Sequence, residues 1–275
     1  MSLLDPSDLH WARPSAGAGT GVLVVAGSSG RVDTARADLL AAAGATALAI
    51  RWFGGVGQPT LPREVPLETF TGALDLLAAE CDRLAVVGLS YGAEAALLTA
   101  VRDPRLDAVV AIAPTDVAWE GQAEADDDPR RPKWTWRGQP VPFVPLRRTW
   151  TPRTDPPSYR PLYDASRESA GPATVEAARI PVERFTGELV LVAGGDDRVW
   201  GSAPAARTIA ARRSAAGLPT TVVEDAAAGH PVVLPGEDAP DPRRPYRVGG
   251  DDGAAERLGA AAWPAIVRAL RLPTR

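Results

Sequence analysis

Six short apolar runs, separated by stretches of helical period, set the rhythm of the chain. The first, Gly21-Val22-Leu23-Val24-Val25-Ala26, shows no polar alternation, which marks a strand covered on both faces. Thr46-Ala47-Leu48-Ala49-Ile50, Leu84-Ala85-Val86-Val87, the run from Leu106 to Ala113, Leu189-Val190-Leu191-Val192-Ala193 and Thr220-Thr221-Val222-Val223 repeat the pattern. Between them, apolar residues three and four apart predict helices over about 32–43, 66–81, 93–101, 203–216 and 254–270. Strands alternating with helices in this way predict an α/β protein with a doubly wound, mostly parallel sheet. Residues 1–19 read as an irregular lead-in.

The rhythm breaks at Thr115 and returns only near residue 180. This stretch is rich in proline and charge and holds Trp119, Trp134, Trp136 and Trp150, half of the eight tryptophans. A connection so long inside a compact domain is expected to be functional, because its aromatic content is wrong for disorder. The chain therefore reads as one domain, 1–275, carrying a cap insertion over about 115–180. Two readings of its tryptophans stand side by side. Together with Trp52 and Trp200 they line an apolar acyl pocket, or they anchor an irregular insertion to the body.

Candidate chemistry centres on Gly88-Leu89-Ser90-Tyr91-Gly92. The pentapeptide follows an apolar strand and opens a helix, the context of a nucleophile elbow, so the fold expected is that of an α/β-hydrolase. A serine hydroxyl needs a base to take its proton and a carboxylate to orient that base. The chain has only two histidines. His10 falls in the lead-in and reads as a surface residue. His230 follows the last strand, where the order nucleophile, acid, base requires it. Asp196 and Asp197 both follow the fifth run, and the spacing Gly194-x-x-Asp197 favours Asp197 as the acid, with Asp196 as the alternative. Backbone N–H groups of Tyr91 and of Ser28, in the turn Gly27-Ser28-Ser29-Gly30, are the expected oxyanion donors.

Composition narrows the partners. A net charge of −4 gives no general attraction for nucleic acid or an anionic membrane, and no run of apolar residues is long enough to span a bilayer. Two distant histidines and one cysteine supply no metal-ligand cluster, so neither metal nor cofactor is expected. A lone cysteine and the lack of a signal-like start suit a cytoplasmic enzyme acting on a small molecule. Arg130, Arg131 and Lys133 make a basic cluster in this stretch, and Arg130, Arg131, Arg147, Arg148 and Arg153 form either a solvated basic surface or a seat for phosphates.

Several ordered runs also resemble a known family. Arg51-Trp52-Phe53-Gly54, Val65-Pro66-Leu67-Glu68, the elbow with Ala93-Glu94, Ile180-Pro181-Val182-Glu183-Arg184, Gly194 to Trp200, and Ala228-Gly229-His230 are similar to the C-terminal catalytic domain of acyl-CoA thioesterases and bile acid-CoA:amino acid N-acyltransferases. The resemblance spans about residues 20–271. It implies Ser90, Asp197 and His230 as nucleophile, acid and base. It further implies an acyl thioester substrate, borne on coenzyme A or a carrier protein. The family's amino-terminal β-sandwich has no counterpart in these 275 residues. A serine stands where the acyltransferase branch has cysteine, which points toward hydrolysis. Ester, lactone or amide hydrolysis is the alternative, and a binding module with a dead site the remaining one.

Overall fold

The computed structural model describes residues 4–16, 19–125, 127–239 and 243–273. In chain order its strands and helices are β1 (Leu9–Ala12), β2 (Thr20–Val25), α1 (Thr34–Ala42), β3 (Thr46–Ile50), β4 (Val65–Pro66), α2 (Glu68–Ala78), β5 (Arg83–Leu89), α3 (Tyr91–Ala100) and β6 (Leu106–Ile112). They continue with β7 (Trp134–Trp136), β8 (Gln139–Pro140), α4 (Arg160–Ala177), β9 (Glu188–Gly194), α5 (Ser202–Ala215), β10 (Thr221–Asp225) and α6 (Ala254–Ala269).

Seven strands form one sheet in the order β1-β3-β2-β5-β6-β9-β10, parallel except for β1. The period-2 geometry of a strand explains why the runs carry no polar alternation. Leu23, Val25, Val86, Val109 and Leu191 pack on one face with Phe70, Leu74 and Ile209 of α2 and α5. Val22, Val24, Val87, Val110 and Val192 pack on the other, against α1 and α6 through Leu40, Leu258 and Ile266. Both sets are buried, so the sheet has no solvent face to reward a polar residue.

β5 is the middle strand. From β2 the chain crosses outward to β3 by way of α1, and from β5 it crosses the other way to β6 by way of α3. The carboxyl ends of β2 and β5 thus flank a topological switch point, where loops on opposite faces diverge and leave a crevice.

Two regions depart from the sequence reading. The lead-in contributes β1, whose residues pair antiparallel with β3, Leu9 opposite Ile50 and Ala12 opposite Ala47. Four residues at a sheet edge, three of them half-exposed, carry too little apolar pattern to be told from a loop. The 115–180 stretch holds the 18-residue α4, which buries only Tyr163 and Ser166 and is broken by a kink at Gly171 ahead of Pro172. With only two side chains buried, and a glycine and a proline in its interior, it offers the sequence no sustained buried face to read. The same stretch supplies β7 and β8, which join β4 in a small second sheet. No helix among the described residues is long and apolar enough to cross a membrane.

Candidate active site

Ser90 sits between β5 and α3 at φ 58°, ψ −118°, a conformation costly for a residue with a Cβ. Its amide remains tied to the sheet, donating to the Ile112 carbonyl at 2.9 Å. The turn is possible because of its two glycines. A Cβ on Gly88 would lie 2.2 Å from the Gly92 carbonyl oxygen, and one on Gly92 would lie 2.2 Å from that of Val25. α3 therefore starts hard against the end of β2. Gly27, just beyond β2, is equally near: a Cβ there would stand 3.2 Å from that of Ser90.

This packing brings the Ser28 turn beside the elbow. The N–H groups of Tyr91 and Ser28 donate to no acceptor among the described residues. Tyr91 opens α3, so its amide also carries the positive end of the helix dipole. The Ser90 hydroxyl likewise has no hydrogen-bond partner among the described residues.

Asp197 and His230 meet directly. Asp197 Oδ2 lies 2.9 Å from His230 Nδ1, while its Oδ1 accepts the N–H groups of Val199 at 2.8 Å and Trp200 at 3.1 Å. Both side chains are buried. Three charge-assisted bonds fix the carboxylate, and it in turn fixes the ring with Nε2 on the far side. The two acidic alternatives separate cleanly here: Asp196 turns outward to Arg198 and accepts the Gly250 N–H at 2.9 Å. His230 is held by its own amide, which donates to the Val248 carbonyl at 2.8 Å. The glycine before it permits this, since a Cβ on Gly229 would lie 2.1 Å from the Gly249 oxygen. His10 is half-exposed and pairs with Asp38 at 2.7 Å, remote in the fold on the β1 edge.

Aromatic rings connect these parts. Trp200 packs edge-on to His230 with centroids 5.7 Å apart, and lies 5.7 Å from the Tyr91 ring. Tyr163 of α4 stands edge-on to Trp200 at 5.4 Å and to Trp119 at 4.7 Å. Its hydroxyl pairs with that of Tyr91 at 3.0 Å. Burial, reinforced by Tyr91, holds the Tyr163 phenol well above the ordinary tyrosine range, so it stays protonated at neutral pH. Trp119, Tyr163 and Trp200 also wall a cavity of about 250 Å³ that opens between α4 and α5 beside Asp116 and Arg167.

The six tryptophans expected in a pocket divide. Trp119 and Trp200 border this cavity. Trp52 and Trp134 are core residues instead, 1% and 0% exposed, packed on each other and on Phe70, with their indole N–H groups donating to Ala26 and Glu94. Trp136 lies at the periphery beneath Arg102 and Arg137, and Trp150 packs half-buried against Tyr159. Sequence alone cannot separate these fates, because a large ring buries area equally well in a core or a pocket wall.

The basic cluster also resolves. Arg130 and Arg148 share Glu120, and Arg131 binds Glu64 at 2.9 Å, so each of the three is engaged by a carboxylate of the protein. Lys133, read from sequence as one of the group, is instead wholly buried against Glu94. Glu94 was the available signal: a carboxylate within Ala93-Glu94-Ala95-Ala96-Leu97-Leu98, all of it buried, has to find a cation or donors inside the protein.

The fold and the strained serine turn define an α/β-hydrolase. A family model described as BAAT / acyl-CoA thioester hydrolase C terminal matches residues 65–236, more than half of the chain and the whole interval from Ser90 to His230. The protein belongs to that family of α/β-hydrolase enzymes. The turn bearing Ser28 lies ahead of the matched residues. No curated protein matches the chain in sequence. Solved structures of similar fold include a dienelactone hydrolase from Klebsiella pneumoniae, 15% identical with a TM-score of 0.53 over 96% of this chain and 92% of that one. Est1E from Butyrivibrio proteoclasticus is 12% identical with a TM-score of 0.51, over 96% and 93%. An acylaminoacyl peptidase from Pyrococcus horikoshii is 8% identical with a TM-score of 0.56, over 94% of this chain and 39% of that one. At such identities the likeness is one of fold.

Proposed function

We propose that the protein hydrolyses an acyl thioester through an acyl-enzyme on Ser90, with His230 as base, Asp197 as its orienting acid and the 115–180 segment as a cap. The observation that carries this reading is the 2.9 Å pairing of Asp197 with His230 beyond the carboxyl ends of β9 and β10, the end of the sheet at which β5 delivers a serine held at φ 58°. Family membership supports the thioester, since acyl-CoA thioester hydrolases give the family its description.

The proposed chemistry runs in two steps. The Ser90 proton passes to His230 Nε2 as Oγ adds to the acyl carbon. The oxygen that becomes negative is met by the N–H groups of Tyr91 and Ser28, each typically worth about 3 kcal/mol in the transition state. The C–S bond then breaks and the thiol leaves with the proton from His230. Water, deprotonated by the same imidazole, attacks the Ser90 ester, releasing the acid and returning the proton to Oγ.

Thiol release from acyl-CoAs of graded length, run beside matched p-nitrophenyl esters, tests the proposal. Turnover is expected to fall to background in Ser90→Ala and in His230→Ala. Full activity in either variant overturns it, and ester turnover without thioester turnover keeps the serine chemistry while replacing the substrate.

A further inference from the structure

The most unusual feature beside the serine turn is an ion pair with no access to water. Lys133 and Glu94 are both 0% exposed, with Nζ donating to Oε2 at 2.7 Å. Glu94 is four residues beyond Ser90 on the first turn of α3, and its own amide donates to the Ser90 carbonyl at 3.1 Å. Its other oxygen, Oε1, accepts the Trp119 amide at 2.9 Å and the Trp134 indole N–H at 2.7 Å. Every side-chain bond made by Glu94 thus goes to the insertion.

The Lys133 ammonium has Glu94 as its only hydrogen-bonding partner among the described residues. The remainder of its ammonium faces the Tyr91 ring, 3.4 Å from the centroid, an attraction strengthened by the absence of solvent. Tyr91 is the residue whose amide adjoins the serine. Its ring is thus gripped on one face by Lys133, its hydroxyl is paired with Tyr163, and Trp200 lies alongside.

We infer that the buried Lys133–Glu94 pair is a clamp that sets the Tyr91 amide and the Ser90 turn for reaction, making both members positioning residues. The inference rests on the proposed Ser90 chemistry. Removing a buried charge from such a pair has two separable effects. It strands the partner, which is a matter of stability, and it frees the Tyr91 ring, which is a matter of rate. Hydrophobic burial alone predicts only the first.

The test compares wild type, Ser90→Ala, Lys133→Met and the double variant Lys133→Met/Glu94→Gln. Each is followed for the rate of Ser90 labelling by a fluorophosphonate, for kcat and KM on the best substrate, and for thermal unfolding. Lys133→Met is expected to slow labelling and kcat by about tenfold to a hundredfold, with KM little changed. The double variant removes both charges and is expected to unfold at a higher temperature than Lys133→Met while remaining slow. It also serves if Lys133→Met does not fold. Labelling and kcat at the wild-type level in a folded variant overturn the clamp and leave the Ser90 chemistry standing. Failure of the wild type itself to label overturns that chemistry, and the clamp with it.

Discussion

At the scale of single residues, the site is decided by which carboxylate faces the imidazole. Asp197 gives His230 a buried partner at 2.9 Å, while Asp196 faces Arg198 at the surface. Asp197→Asn preserves shape but presents an amide where an acceptor is needed, so the ring adopts the wrong tautomer. Loss of kcat by about ten-thousandfold is expected for Asp197→Asn. Asp196→Asn should stay within a few-fold of wild type, and steady-state kinetics on the two variants checks both statements. From sequence, the spacing Gly194-x-x-Asp197 favoured Asp197 but left Asp196 as the alternative, because both follow the same strand end. What it did not contain was the second half of the acid's environment, the Val199 and Trp200 amides, which depend on how the loop closes.

At the scale of elements, the strand–turn–helix containing Ser90 is limited by space. Both glycines of the turn stand where a methyl group meets a carbonyl oxygen at 2.2 Å. Backbone cannot give as a side chain can. Gly92→Ala is therefore expected to cost about 1–3 kcal/mol or more, with a fall in Tm of roughly 2–4 °C per kcal/mol in a chain of this size. Differential scanning calorimetry reads this directly. The parallel strands and their helices were legible because burial on both faces leaves uninterrupted apolar runs. β1 and α4 were not, and for opposite reasons: β1 is too short for a period to establish itself, and α4 buries only two side chains along its length. The burial of Lys133 was not legible for a third reason. It neighbours Arg130 and Arg131 in sequence, yet its partner is 39 residues earlier, on α3.

At the scale of the whole molecule, stability is expected to be graded outward from β5. Its neighbours β2 and β6 pair with it along nearly its full length, and all three are covered on both faces. Amides of β5 and β6 should exchange with solvent last, on a timescale set by global unfolding, whereas those of residues 151–156, all exposed, should exchange first. Hydrogen exchange followed by mass spectrometry resolves these classes. Protection in 151–156 equal to that in β5 contradicts the expectation.

The attachment of the insertion limits what can be exchanged between relatives. Trp119, Lys133 and Trp134 all converge on one carboxylate that belongs to the catalytic body. A chimaera that imports another enzyme's 115–180 segment without a matching residue at position 94 leaves a charge walled into protein with nothing to answer it. Recombination can move this segment as an inheritable unit only in company with the helix that follows the serine, so the two are a single module divided by the intervening chain.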